Sequence, residues 1–142
     1  MASPYVSDKI RWRVENRADS YCEYCRRHVN YFFPPTTDHI DPDLRSSDPG
    51  NLAFSCMPCN WSKREHTTGM DPLTGEMTRL YHPRKDKWSD HFRWSDDWLL
   101  ILGITPVGRA TVELLNLNIS AWINIRRVTI GEVHPPEDFI QT

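Results

Sequence analysis

The sequence has no long apolar run, no internal repeat and no large surplus of either charge. Its longest apolar stretch, Trp98 to Ile104, falls far short of the roughly 20 residues that cross a bilayer. No membrane span is expected. The start, Met1-Ala2-Ser3-Pro4, has neither the basic nor the apolar region of a signal peptide, and the expected compartment is the cytoplasm. A net charge of -2 argues against a protein that coats nucleic acid by bulk electrostatics alone, so any contact with DNA must come from local patches.

What is present suits one globular domain, 1–142. Hydrophobic residues make up 39% and charged residues 25%, and six Trp with five Phe supply large surfaces to bury. The basic candidates are Arg11, Arg13 and Arg17 on a first helix, Arg26 and Arg27 after it, Lys63 and Arg64, and the run Arg84, Lys85, Lys87, Arg93. Acids are interleaved with each group, which also fits an ordinary solvated surface.

Ser7 is placed to cap a helix with Ile10, Val14 and Ala18 on one face, ending near Tyr21. Tyr31-Phe32-Phe33 runs into Pro34-Pro35, which cannot lie within a central strand, so Thr36 to Ile40 reads as a new strand. Asp41 to Gly50 reads as an irregular loop, Asn51 to Ser55 as a short strand, Cys56 to Cys59 as a turn, and Asn60 to His66 as the start of a helix. Beyond a turn at Asp71 to Gly75, a strand is expected over Met77 to Tyr81 and a hairpin around Asp96-Asp97. Thr105-Pro106 opens a helix, which extends or breaks near Asn116 to Ser120.

All four cysteines fall in two pairs, Cys22-x2-Cys25 and Cys56-x2-Cys59. Two knuckles of this kind bring four thiolates to the corners of a tetrahedron, which suits a closed structural Zn2+ site; without a secretory signal, disulfides are the poorer reading. The thirty residues between the knuckles exceed the usual ribbon spacing, so something is inserted there.

The insert carries Asp38-His39 and Asn51, and Asn60 and Lys63 follow the second knuckle. In this order and spacing, residues 22–63 resemble the HNH endonuclease family: a CxxC knuckle, an Asp-His pair on a first strand, an Asn-Leu start to the second, and CxxC-(His or Asn)-xx-Lys opening a helix. Asp71 to Glu76, Tyr81 to Arg84, Trp88, Asp90 to Phe92 and Thr105 to Thr111 look like the C-terminal half of a bacterial subgroup of these nucleases. The resemblance implies an α+β fold. Its ββα-metal core, about 20–68, would be stapled by the zinc ribbon and flanked by helices, with a C-terminal hairpin and helix in an extension of about 69–130 and a loose tail over 131–142.

It also implies a DNA phosphodiesterase. His39 would be the general base, since an ordinary imidazole is largely neutral at pH 7. Asp38 and Asn60 would offer oxygen ligands to a catalytic Mg2+ or Mn2+, and Asn51 would orient the base or brace its loop. Asn60 stands where the family's name has a second His, which favours oxygen-preferring cations. Lys63, Arg64, Arg26 and Arg27 are the candidate DNA contacts, and structural roles suit His28, His66, His82, His91 and His134 better than catalytic ones. A lone centre in a monomer, the favoured state, would nick. The competing reading is a catalytically inactive zinc-ribbon module that binds nucleic acid, while a toxin effector would need a delivery domain that the chain lacks.

Overall fold

The computed structural model describes residues 4–28 and 35–136. The aromatic run at residues 31–33 and the residues from 137 on lie outside the described residues. Helix α1, Asp8–Arg17, starts where Ser7 accepts a hydrogen bond from the Ile10 amide. It buries Val14, with Ile10 and Ala18 packed beside it. It stops four residues short of the expected Tyr21, because Asp19 and Ser20 take left-handed backbone angles that end the helical ladder.

Strand β1, Pro35–His39, pairs antiparallel with β2, Leu52–Cys56, and helix α2, Met57–Lys63, follows directly. Pro35 stands at the strand's first position in a two-stranded sheet, where a missing amide donor does no harm. Between the strands run two short 3-10 turns, Pro42–Leu44 and Pro49–Asn51, capped by Asp41 and Asp48. Two expectations need correction. The second cysteine pair is no separate turn, since Cys56 caps α2 and Pro58 fits its first turn. That helix also ends at Lys63 rather than His66, where Arg64 turns to positive φ.

The remaining chain forms two further antiparallel hairpins: β3, Thr68–Met70, with β4, Met77–Arg79, and β5, Phe92–Trp94, with β6, Ile101–Gly103. Around them lie α3, Trp88–His91, α4, Pro106–Leu114, and α5, Ser120–Thr129. β4 ends before the expected Tyr81, whose amide donates to Thr111 Oγ1 instead of a neighbouring strand. Thr105 caps α4 as its sequence requires, and the apolar stretch beyond it does break, resuming as α5. Gly108 lets α4 press on the hairpin, because a β-carbon there would collide with the His91 carbonyl.

One buried cluster joins the two halves of the chain, running from Val6 and Val14 through Tyr24, Leu52 and Phe54 to Trp88, Phe92, Leu115 and Leu117. Trp88 Nε1 donates to the Tyr24 carbonyl across it, satisfying the indole N–H inside an apolar surround. Of residues 131–142, the described part keeps His134 buried, in contact with the Trp98 carbonyl through Nε2.

The β3–β4 turn is fastened to α4 by charge. Asp71 accepts two hydrogen bonds from the Arg109 guanidinium, at 2.9 Å each, and others from Leu73 N and Thr74 Oγ1. Arg109 holds the Asp71 carboxyl well below the usual carboxylate range. Such a group stabilises the fold fully above its unfolded pKa, near 3.9, and that contribution is lost as pH falls toward the folded value. Asp71→Asn should therefore melt at a lower temperature than the parent at pH 7, with the gap narrowing below about pH 4. Thermal unfolding followed by circular dichroism measures it; equal melting temperatures at pH 7 would contradict the role given to this pair.

Candidate functional site

The two cysteine knuckles come from unlike local structures. Cys22 and Cys25 lie in a turn after α1 closed by Arg26 N to the Cys22 carbonyl and Cys22 N to the Arg27 carbonyl, both 2.9 Å, with Arg26 at positive φ. The turn is fixed to β2 by paired bonds: Glu23 N donates to the Phe54 carbonyl, and Phe54 N donates to Glu23 Oε2 at 2.7 Å. Arg84 of the C-terminal half closes on the other Glu23 oxygen. That arrangement carries Cys22 and Cys25 to Cys56 and Cys59 at the mouth of α2.

All four cysteines are buried and free, and their sulfurs lie within 4.8 Å of one another. The Cys25 and Cys56 sulfurs are 3.8 Å apart. A disulfide would need about 2.05 Å. Four sulfurs held tetrahedrally at about 2.3 Å from a zinc ion would stand about 3.8 Å apart, so the donor set fits a metal such as zinc. Arg27 Nη2 donates to Cys56 Sγ at 3.0 Å, and its guanidinium stacks 4.0 Å over the Trp122 ring. Its positive charge would offset the negative charge of thiolates held on a metal there.

His39 ends β1 opposite Leu52, and Asp38 stands opposite Ala53. Adjacent strand residues point to opposite faces, so these neighbours serve different surroundings. The half-buried His39 has Nε2 3.2 Å from Ser47 Oγ, and among the described residues Nδ1 has no hydrogen-bond partner. Burial pushes its pKa below the ordinary value; Lys63 and Arg11 push the same way, against Asp38. The buried Asn51 fastens the loop that supplies Ser47. Its amide donates to the Asp41 and Ser46 carbonyls at 3.0 and 2.9 Å and its oxygen accepts from Asp41 N at 3.0 Å.

Asp38 faces inward beneath α2 and is 3% exposed. Tyr24 Oη donates to its Oδ2 at 2.6 Å, and the Lys63 ammonium lies 3.2 and 3.4 Å from its two oxygens. Burial pushes the carboxyl up, against the opposing pull of Lys63 and Tyr24. The Lys63 ammonium, 1% exposed, also donates to the Ile40 carbonyl at 3.0 Å and the His39 carbonyl at 3.4 Å. Asn60, half-buried on α2, donates to Thr36 Oγ1 at 3.1 Å on the strand face that carries Asp38. Asp38 and Asn60 thus share a face, but both Asp38 oxygens are engaged and Lys63 already supplies the local positive charge. As arranged, the pair does not offer an open donor set to a divalent cation.

Of the residues expected at DNA, Arg64 is exposed. Lys63 and Arg27 are buried among the partners just described, and Arg26 lies 5.6 Å over the Trp88 ring. Three side chains went unread in the sequence: Ser47 beside His39, Tyr24 on Asp38, and Arg27 as a thiolate partner. Only Tyr24 had a positional hint, inside the first knuckle.

Residues 22–66 match the family model of the HNH endonuclease. The match takes in both cysteine pairs together with Asp38, His39, Asn51, Asn60 and Lys63, and leaves the C-terminal half outside it. Neither the comparison with curated proteins nor that with solved structures returned a match. The β1–β2–α2 order fits the ββα core of an HNH domain, with a four-cysteine cluster beside it.

The Asp38–Lys63 pair generates a stability prediction. Lys63→Met would leave a buried carboxylate without its cation, at a cost of about 3–5 kcal/mol. Adding Asp38→Asn to that variant should recover part of the loss, because the uncompensated charge is then gone. Urea unfolding of the two single variants and the double variant measures the coupling. Strictly additive losses would show that the two side chains do not depend on each other.

Proposed function

We propose that the chain is an HNH-type endonuclease that hydrolyses DNA phosphodiester bonds with His39 as general base, on a fold held by a structural Zn2+ in the four-cysteine cluster. The observation that carries the reading is the placement of a half-buried imidazole, with its pKa lowered, at the end of β1 within the segment matching the HNH endonuclease model. Ser47 accepting from Nε2–H would set the tautomer, leaving Nδ1 with the lone pair that takes a proton from water. As that proton leaves, the water oxygen bonds phosphorus. The bond from phosphorus to the departing sugar oxygen then breaks, and that oxygen takes a proton from solvent. Asn51 keeps the loop beside the base in place, and the Lys63 bonds to the His39 and Ile40 carbonyls hold the strand end from below. In this arrangement Lys63 closes Asp38 to a divalent cation.

One centre with one base attacks one strand, so a monomer acting on supercoiled plasmid should give open circles first. The alternative, a nucleic-acid-binding module without activity, draws support from one observation, the engaged Asp38 carboxylate. A plasmid assay with Mg2+ or Mn2+ separates the two readings. His39→Ala should lose about 10²- to 10⁴-fold in rate with an unchanged melting temperature. The pH profile gives a second readout of the same experiment. A base works deprotonated, so with a lowered pKa the parental rate should hold on the acid side and fall only below about pH 6.5. Parental activity in His39→Ala would remove His39 from the mechanism, and no cleavage by the parent with either cation would favour the binding module.

A further inference from the structure

Just past His39 the chain turns at Ile40 and Asp41, and there the surface opens into a cavity of about 440 Å³. That volume lies within the roughly 300–1,000 Å³ usual for small-molecule sites. One wall is Ile40, Asp41 and the buried Lys63 at the end of the ββα unit; the other is the base of the β3–β4 hairpin with the segment after it. The floor is apolar, from Ile40 and Leu80, while Thr68, Arg79 and Lys85 stand at the rim.

The hairpin meets this cavity at its open end, where Thr68 pairs with Arg79 and Leu80 follows. Gly69 lies against Ala110 of α4, and a β-carbon there would press on Leu80, so this position of the hairpin is committed to packing. Strand alternation then puts Thr68 and its cross-strand partner Arg79 on the opposite face, both exposed. Arg79 is oriented by two bonds from its guanidinium to Asp86, at 2.6 and 3.0 Å. Asp86 also accepts from His82 N at 2.9 Å, so its charge is drawn into the wall. Lys85 is exposed and, among the described residues, has no ion-pair partner.

We propose that this cavity receives one unstacked nucleotide of the DNA strand next to the scissile phosphate, with its base on Ile40 and Leu80 and its phosphate at Lys85 and Arg79. The inference rests on the nuclease reading given above. It follows from the place of Ile40 next to His39 in the chain, from an apolar floor below the exposed Lys85, and from a volume large enough for a base. Asp41, half-buried at the edge, offers an acceptor to a base amino group. Taking a nucleotide out of the stack is costly in a matched duplex and nearly free in a single strand or at a mismatch, so the cavity selects flexible DNA.

The test is equilibrium binding by the zinc-loaded full chain bearing His39→Ala, which slows cleavage on the nuclease reading, to a fluorescein-labelled single strand, a matched duplex and a duplex with a central mismatch. Single-stranded and mismatched DNA should bind at least about tenfold more tightly than matched duplex. Thr68→Trp, a change at an exposed position that fills the cavity mouth, should bring that preference close to one while the protein melts as before. Lys85→Glu, also exposed, should weaken all three ligands and flatten the salt dependence by about one phosphate contact. Matched duplex binding as tightly as single strand, or a preference untouched by Thr68→Trp, would overturn the cavity assignment. Plasmid nicking by the parent is read separately, so the cavity can fail with the nuclease reading intact, whereas no binding to any of the three DNAs overturns both.

Discussion

The constraint on which the fold rests is the meeting of four cysteine sulfurs from segments separated by thirty residues. Each knuckle alone is a short turn with little apolar surface. Joined, they pin the end of α1, the end of β2 and the start of α2 to one point, and β1 with its loop is then enclosed between fixed ends. A domain of this size buries a modest core, and a bound metal adds folding free energy in just such cases. Arg27 adds to the arrangement, donating to Cys56 where thiolates on a metal would carry negative charge.

The second organising interaction lies under β1. Lys63 reaches from α2 to Asp38 and to the carbonyls of His39 and Ile40, so one ammonium ties helix to strand at the residue proposed as base. The strand's two faces then have separate work: Asp38 and Thr36 lock the sheet to α2, while His39 faces the loop braced by Asn51. The same closure that positions His39 engages the carboxylate expected to bind a cation. Lys63 lies inside, although a lysine on a helix ordinarily reads as surface charge, because Asp38 and two carbonyls replace its hydration, and breaking such a pair is costly.

How far the sequence was legible depended on whether a local rule governed the residue. Ser7, Thr105 with Pro106, the cysteine pairs and the Asp96–Asp97 hairpin follow from capping, metal-ligand spacing and turn chemistry, and each was readable from residues close in the chain. α1 and α2 were read too long because left-handed residues at Asp19, Ser20 and Arg64 end them, and nothing in those side chains announces it. β3 escaped notice because three residues with a central glycine carry no alternation. At the site, His39 and Asn51 stood out by their pattern. The burial of Lys63 and Arg27 did not, since the partners that draw them inward, Asp38 and Cys56, are 25 and 29 positions away along the chain.

The most direct test of the four-sulfur constraint is native mass spectrometry of the purified chain coupled to thiol alkylation, with and without a strong zinc chelator. One zinc ion per chain is predicted, with all four cysteines protected while it is bound. Chelation should release the metal, expose all four thiols to alkylation and abolish the cooperative melt together. A folded chain that carries no metal and whose thiols alkylate at once would contradict it.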